Sequence, residues 1–223
     1  MREWETALKT KNFAKLEKIM HRETSAGYQV YDLSKIPVAC AKTSLCHKKL
    51  VSLKYTKGLF ENKTIADLGC SLGFFSFYCA SQGAKQVTGY DNKELYIELN
   101  SLTYEYYSQW NSCSPMQFTQ QDLSLLPEIS ADVVLCNSII HWLIIKKVEL
   151  KQIMAWLGNI SKVCVLFEGT VSAQEDIMQK HKIKDDQISL NKILKEGENY
   201  FSEIEVIGKT TYNPERYVIR FWK

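Results

Sequence analysis

The middle of the chain alternates between short apolar runs and longer amphipathic stretches. The strand-like runs are KTIADLG, QVTGYD, MQFTQQD, ADVVLCN and KVCVLFEG, and the helix-like stretches are FFSFYCASQG, ELYIELNSLTYEYYSQW and VELKQIMAWLGNI. Gly69 ends the first strand and Gly83 the first helix. Strands that alternate with helices form βαβ units, so the pattern predicts an α/β fold with a mainly parallel sheet and helices on both faces.

The two ends of the chain depart from this alternation. A charged helical stretch around Asp176–Lys195 is followed by two strand-like runs, SEIEVIGK and RYVIRFWK, with only TTYNPE between them. That connection is too short for a parallel crossover, so an antiparallel hairpin is expected. The N-terminal residues repeat apolar positions at helical spacing between charged ones. We therefore expect a helical extension or lid over residues 1–60 and one domain over residues 61–223.

Composition narrows the class of protein. The 223 residues are 45% hydrophobic and 12% aromatic, which indicates a globular chain rather than a disordered one. No apolar run approaches the roughly 20 residues that span a bilayer, and the charged N-terminus is unlike a secretory signal. Seven cysteines form no CxxC pair, which favours free thiols in a reduced, cytoplasmic compartment. Cys40, Cys46 and His47 lack a fourth ligand at zinc spacing, so no metal is expected.

The net charge of +3 is distributed unevenly along the chain. Residues 1–60 carry 12 basic and 5 acidic side chains, or +7, whereas residues 61–223 carry 16 and 20, or −4. The basic segment is either a solvated surface or a region that attracts an anionic partner such as RNA or a phosphorylated sugar. Because the lysines are scattered over sixty residues, charge alone does not decide between these interpretations.

A glycine-containing turn follows the first strand, in the run Asp67-Leu68-Gly69-Cys70-Ser71-Leu72-Gly73. Ligands of open parallel sheets bind at the carboxyl ends of the strands, where glycines let the backbone come close. The dinucleotide pattern G-x-G-x-x-G would need glycines where Ser71 and Phe74 stand. Asp67 would also repel the pyrophosphate that such a turn binds. An acidic residue here instead suits a ligand with a cation, such as an ammonium beside a sulfonium.

Two further acidic residues follow the next two predicted strands. Asp91 comes twenty-two residues after Gly69, at the place where a carboxylate accepts both ribose hydroxyls of a nucleotide. Asp122 follows the third strand and is placed to accept from an adenine amino group. A single aspartate at a strand end more often caps a helix or turn. Three of them at successive strand ends predict one nucleoside site at the rim of the sheet.

Residues 63–167 resemble the nucleotide-binding half of the class I S-adenosylmethionine-dependent methyltransferases. The turn matches their first motif, with Ser71 where many members have glycine, and Ala131-Asp132-Val133-Val134-Leu135-Cys136-Asn137 matches the fourth-strand motif. The resemblance implies a Rossmann-like, seven-stranded, mostly parallel sheet that ends in the antiparallel hairpin. It implies S-adenosyl-L-methionine as cofactor and S-adenosyl-L-homocysteine as product. It further implies a cofactor site made of Asp67, Gly69, Cys70, Ser71, Leu72, Gly73, Asp91, Asn92, Asp122, Leu123 and Asn137.

The residues after the fourth strand are candidates for the acceptor side. His141 is either a general base or a substrate-orienting residue, or else it caps and packs the loop. The run Asn137-Ser138-x-x-His141-Trp142 is similar to a stretch in methyltransferases of small carboxylic acids, in which the tryptophan and its neighbour line the acceptor pocket. The candidate substrate-binding residues are Tyr28, Tyr31, Ser138, Trp142 and Glu168. The tyrosines would belong to an aromatic lid, and Glu168 is either a pocket acid or a turn residue.

Together these features predict a methyltransferase that moves a methyl group to an oxygen or nitrogen atom of a small molecule by in-line SN2 transfer. One alternative keeps the fold but takes RNA or a phosphorylated glycan as acceptor, through the basic N-terminal segment. A second is a catalytically inactive regulatory subunit that still binds the cofactor. Asn137 is followed by Ser138, Ile139 and Ile140 rather than Pro-Pro-Tyr, which argues against methylation of exocyclic amines in nucleic acids. The oligomeric state is left open.

Overall fold

A computed structural model describes residues 3–10, 12, 14–15, 18–19, 22, 45–108, 113–171, 176–184, 187–211 and 216–223. The helices in these ranges are α1 (Glu3–Lys9), α2 (Leu45–Leu53), α3 (Phe74–Ser81), α4 (Glu94–Ser108), α5 (Ile140–Ile145), α6 (Leu150–Ile160), α7 (Asp176–Lys180) and α8 (Leu190–Gly197). The strands are β1 (Thr64–Leu68), β2 (Gln86–Asp91), β3 (Met116–Gln120), β4 (Ala131–Asn137), β5 (Ser161–Gly169), β6 (Glu203–Lys209) and β7 (Tyr217–Trp222). Two 3₁₀ turns lie at Lys57–Leu59 and Leu123–Leu125.

The strands of the described residues form one seven-stranded sheet in the order β3-β2-β1-β4-β5-β7-β6. Strands β1 to β5 are parallel to one another, and β7 pairs antiparallel with both β5 and β6. The predicted α/β class, the parallel sheet and the C-terminal hairpin are therefore confirmed. Because β7 runs against β5, its first residues lie at the edge where the parallel strands end. The order also changes direction at β1 and β4, which is where ligands bind to open sheets.

Apolar side chains pack on both faces of the sheet. One cluster joins α1, α3 and α4 to the sheet through side chains such as Trp4, Phe77 and Leu99. The other joins α5, α6 and α8 through side chains such as Ile153, Leu157 and Ile193. β4 supplies Val133 to the first cluster and Val134 to the second, as expected when a central strand is buried on both faces.

Some elements differ in detail from the pattern. The single helical stretch expected around Asp176–Lys195 is two helices, α7 and α8, separated by residues 181–189. Ser189 begins α8 by accepting a hydrogen bond from the backbone N–H of Lys192 at 3.3 Å, so a cap divides the stretch. The link from β3 to β4 contains a 3₁₀ turn and no α-helix.

Within the described residues of the N-terminal sixty, α1 and α2 both pack on the domain, and residues 14–15, 18–19 and 22 are also helical. Trp4 and Ala7 of α1 are 6% and 1% exposed and belong to the same cluster as α4. Ser52 of α2 lies 3.1 Å, oxygen to oxygen, from the hydroxyl of Thr211 and accepts from the Thr211 backbone N–H at 3.0 Å. Of the helices described, none is both long and apolar enough to cross a membrane. The six cysteines of the described ranges are free thiols.

Candidate functional site

The turn between β1 and α3 has a left-handed backbone at three positions. Gly69, Ser71 and Gly73 have φ values of 68°, 50° and 77°. The Cys70 N–H donates to the Tyr90 carbonyl at 2.9 Å, which fastens the turn to β2. The positive φ favours glycine at position 69, where a Cβ atom would also lie 2.9 Å from Cδ1 at the tip of the Ile139 side chain.

Asp67 lies directly before this turn and is only 2% exposed. The hydroxyl of Ser76, in the first turn of α3, donates to its Oδ2 at 2.6 Å. Burial raises the pKa of Asp67 from 3.8 to about 6, although the Ser76 hydrogen bond and the charge of Lys49 act in the opposite direction. Much of its charge is therefore present at neutral pH, and a cationic ligand would stabilise it.

Asp91, the last residue of β2, holds the other side of the turn. Its Oδ2 accepts from the Ser71 N–H at 2.9 Å and its Oδ1 from the Lys93 N–H at 3.0 Å. Asn100 of α4 completes this support by donating to the Ser71 carbonyl at 2.7 Å. The structure thus brings Asp91 and the turn together, while the side chain of Asn92 is exposed.

Asp122 begins the 3₁₀ turn that follows β3. Its Oδ1 accepts from the Ser124 backbone N–H at 3.0 Å and from the Ser124 hydroxyl at 2.6 Å, and these bonds lower its pKa. It is therefore a cap, while the neighbouring Leu123 is 5% exposed. Cys70 and Leu72 are buried in the core at 0% and 1% exposed, so within the turn they offer a ligand backbone groups rather than side chains.

A buried polar cluster lies at the ends of β4 and β5. Asn137 and Glu168 are neighbours across these strands, and the Ser138 N–H donates to the Glu168 carbonyl at 2.6 Å. The Ser138 hydroxyl accepts from Lys49 Nζ at 2.8 Å and from Arg216 Nη1 at 2.7 Å, and it donates to Glu168 Oε2 at 2.7 Å. Lys49 Nζ is also 2.7 Å from Glu168 Oε2. Glu168 is 0% exposed and lies within β5, so it is not a turn residue.

His141, in the first turn of α5, is 2% exposed. Burial, reinforced by the charge of Arg216, lowers its pKa from 6.5 to about 3, so the imidazole is neutral at physiological pH. Its Nδ1 and the Nδ2 of Asn137 are buried and have no hydrogen-bond partner among the described residues. The Asn137 Oδ1 accepts from the Tyr55 hydroxyl at 3.1 Å.

The remaining acceptor candidates are less closely tied to this cluster. Trp142 is 46% exposed, and its ring centroid is 5.2 Å from that of His141 and 6.4 Å from that of His181. Tyr28 and Tyr31 lie outside the described residues.

Sequence reasoning did not identify several residues that build the site. Ser76 and Asn100 support the turn, whereas Lys49, Tyr55 and Arg216 reach the buried polar cluster at the ends of β4 and β5 from outside the matched motifs. Ser76 had a readable signal, because a hydroxyl in the first helical turn after a strand-end acid is within reach of it. The other four come from distant parts of the chain, and no local pattern marks them.

Comparisons with known proteins agree with this geometry. Residues 65–159 match a family model described as "Methyltransferase domain". Over 41 residues the chain is 42% identical to the ribosomal protein arginine N-methyltransferase rmt3 of Schizosaccharomyces pombe, a match that covers 18% of this chain and 8% of that protein.

Solved structures share the fold at low sequence identity. Magnesium protoporphyrin IX methyltransferase from Synechocystis PCC 6803, solved with bound S-adenosylmethionine, is 14% identical, with a TM-score of 0.59 over 93% of this chain and 96% of that one. The bifunctional kinase-methyltransferase WbdD is 18% identical, with a TM-score of 0.59 over 78% of this chain and 38% of that one. This chain thus spans less than half the length of WbdD. Residues 65–159, less than half of the chain, thus match a methyltransferase domain, and the described residues share the Rossmann-like α/β fold of these solved methyltransferases.

Proposed function

We propose that the chain binds S-adenosylmethionine at the carboxyl ends of β1, β2 and β4 and transfers its methyl group to an oxygen or nitrogen atom of a small molecule. One observation carries this proposal. The left-handed turn over residues 69–73 lies between two carboxylates, the buried Asp67 and the strand-end Asp91. The match of residues 65–159 to a methyltransferase domain supports it.

The residues at the turn suit such a ligand chemically. Asp67 places negative charge beside the backbone where a ligand's cationic end would lie, and a cation there offsets the cost of burying that charge. Each carboxylate oxygen of Asp91 accepts one described N–H and keeps lone pairs for ribose hydroxyls. We assign Asn92, Asp122 and Leu123 to the nucleoside end of the same site.

The chain would accelerate the transfer mainly by positioning the cofactor and the acceptor relative to each other. When bound, the cofactor supplies an electrophilic methyl group on a sulfonium sulfur. Well-oriented reactants reach effective molarities of about 10⁵–10⁸ M, so a rigid turn and a fixed acceptor account for much of the rate. The turn is rigid because it is hydrogen-bonded to Tyr90, Asp91 and Asn100.

Isothermal titration calorimetry tests the cofactor site. We expect S-adenosylmethionine and S-adenosylhomocysteine to bind in the micromolar range and Gly69→Arg to abolish binding. Gly58→Arg is the matched control, because Gly58 is exposed and a Cβ there meets nothing within 4 Å. Absence of binding by the native chain would disprove the proposal.

Asp91→Ala tests the ribose contact in the same way. We expect at least a tenfold loss of affinity, since a hydrogen bond to a charged group contributes about 1.5–3 kcal/mol. Asp176→Ala removes the same charge at an exposed position of α7 and should bind normally. Circular dichroism checks that both variants are folded.

The other two predictions are tested separately. An RNA acceptor requires binding that weakens steeply with salt, so a gel-shift assay at low and high salt tests it. An inactive regulatory subunit requires cofactor binding without methyl transfer, which a tritium-transfer assay with a metabolite extract measures.

A further inference from the structure

One buried amide nitrogen of the proposed cofactor site lacks a hydrogen-bond partner in the described part of the chain. It is Nδ2 of Asn137, a residue that is 6% exposed at the end of β4. Buried polar groups in native proteins are nearly always paired, so this nitrogen points to a ligand at its position. It can meet that ligand only if the amide presents its nitrogen, and not its oxygen, to the site.

The backbone does not decide which end of the Asn137 amide faces the site. Ser138, the next residue, has a left-handed backbone with φ 57°. Its hydroxyl accepts from Lys49 Nζ and Arg216 Nη1 and donates to Glu168 Oε2, which uses its proton and both lone pairs and fixes the end of β4. The terminal torsion of an asparagine is broad, however, and its oxygen and nitrogen are alike in size. A fixed backbone therefore leaves two orientations of the amide.

Tyr55 selects one of these orientations. Its hydroxyl donates to Asn137 Oδ1 at 3.1 Å. Burial raises the pKa of Tyr55 well above its usual value, and the charges of Asp67 and Glu168 act in the same direction, so the hydroxyl keeps its proton. A proton directed at Oδ1 holds the oxygen on the side of Tyr55. The other amide atom, Nδ2, is a donor only and is left to face the ligand.

The Tyr55 ring is itself held in place from two directions. Its centroid lies 5.2 Å from that of Phe60 and 6.4 Å from that of Tyr78. Tyr55 follows α2 directly after Lys54, whose backbone is left-handed with φ 49°. The Lys54 carbonyl accepts from Arg220 Nη2 of β7 at 3.0 Å. The hydroxyl therefore reaches the end of β4 from a fixed point.

The strand order indicates which part of the cofactor Asn137 serves. Because β1 lies between β2 and β4, Asp67 has Asp91 on one side and Asn137 on the other. With Asp91 at the ribose, Asn137 lies toward the amino-acid end, whose carboxylate accepts hydrogen bonds and whose ammonium donates them. Charges of both signs surround this region, from Asp67, Glu168, Lys49 and Arg216. Such mixed surroundings suit a zwitterion better than a lone anion or cation.

We propose that Tyr55 is a positioning residue of the cofactor site, which holds the Asn137 amide with Nδ2 toward the ligand. The inference rests on the proposed function. It adds to the site a side chain from outside residues 65–159, the part of the chain that matches a methyltransferase domain. Cofactor affinity then depends on the segment between α2 and β1 as well as on the glycine-containing turn.

A double-mutant cycle in the full chain, measured by calorimetry with S-adenosylhomocysteine, tests this role. Tyr55→Phe removes only the hydroxyl, and we expect the affinity to fall about 3- to 10-fold, the range for one lost hydrogen bond. Asn137→Ala should weaken binding at least as much, and Tyr55→Phe should have no further effect in that background. Equal losses from Tyr55→Phe in both backgrounds, or native affinity in either single variant, would overturn the inference. Failure of the native chain to bind would instead overturn the proposed function.

Two controls separate positioning from packing. Tyr78→Phe removes a hydroxyl from the neighbouring ring and should bind with native affinity. 5′-Methylthioadenosine lacks the amino-acid end, so its affinity should be unchanged in Tyr55→Phe, and an equal loss for both ligands would count against the proposed role. Should circular dichroism show that Tyr55→Phe does not fold, Asn137→Ala still decides. A loss for S-adenosylhomocysteine alone would support the inference, and native affinity would overturn it.

Discussion

At the scale of single residues, the negative charge of Asp67 should favour binding of a cationic ligand but lowers the stability of the folded chain. Its pKa in the folded chain, about 6, exceeds the ordinary value of 3.8 because the carboxyl is buried. The folded state therefore holds this proton more tightly than the unfolded state. The tighter proton binding therefore contributes to the free energy of unfolding. This contribution is fully present below about pH 4 and is lost as the pH rises through 6.

Asp67→Asn should consequently raise the free energy of unfolding at pH 8, by about 1–3 kcal/mol, and change it little near pH 4.5. The same variant should lose cofactor affinity, because it lacks the charge. Urea unfolding at the two pH values measures the first effect and calorimetry the second. Asp132→Asn is the contrast, because hydrogen bonds from Thr64 lower the Asp132 pKa, so its loss should destabilise the chain at pH 8. If Asp67→Asn and Asp132→Asn changed the free energy of unfolding at pH 8 in the same direction, burial of Asp67 would not be destabilising as inferred.

The position of His141 in the sequence does not by itself decide whether it acts as a general base. Its sequence position suits a general base, but burial lowers its pKa to about 3. We expect kcat/KM to show no inflection from this histidine between pH 6 and 8. His141→Gln should lower the rate about tenfold, the cost of a lost hydrogen bond, and leave the shape of the pH profile unchanged. An inflection near pH 6.5 that disappears in the variant would show that His141 does take up the proton.

At the scale of elements, helix α2 is joined to the rim of the sheet by a buried ion pair. Lys49 and Glu168, with side chains 1% and 0% exposed, lie 2.7 Å apart, while Ser52 contacts Thr211 at the end of the hairpin. Removal of one partner from a buried pair leaves an uncompensated charge, which costs about 3–5 kcal/mol. The helix is therefore held against the ends of β4 and β5 through charge as well as packing.

Lys49→Met should lower the free energy of unfolding by about 3–5 kcal/mol, and Lys49→Met with Glu168→Gln should recover part of it. Lys57→Met is the control, because it breaks the exposed Lys57–Glu61 pair, which contributes at most about 0.5 kcal/mol. Urea unfolding of the four proteins measures these differences. If Lys49→Met lowered the free energy of unfolding no more than Lys57→Met, the Lys49–Glu168 pair would not be what holds α2 in place.

At the scale of the whole molecule, binding should stabilise the chain because the turn, α3 and α4 support one site. A ligand at 100 times its Kd adds about 2.7 kcal/mol, which corresponds to roughly 5–10 °C in Tm for a chain of this length. We expect that shift with S-adenosylhomocysteine in a thermal melt followed by circular dichroism. NAD should give none, because Asp67 repels its pyrophosphate. A larger increase in Tm with NAD than with S-adenosylhomocysteine would contradict the inference that Asp67 repels a pyrophosphate.

The sequence by itself determined the fold class and the local chemistry of the cofactor turn. Periodicity identifies strands and helices because burial alternates with the period of each element. The run from Asp67 to Gly73 and the residue Asp91 are readable because each lies at the end of a predicted strand, and the parallel sheet brings such ends to one edge.

Only the tertiary structure decided the polar cluster at the ends of β4 and β5. Lys49, Tyr55 and Arg216 reach Asn137 and Ser138 from 78 to 89 residues away along the chain, through side-chain hydrogen bonds that no local period reports. Burial likewise decides the charge states of Asp67 and His141, because desolvation depends on what packs around a group and not on its neighbours in sequence.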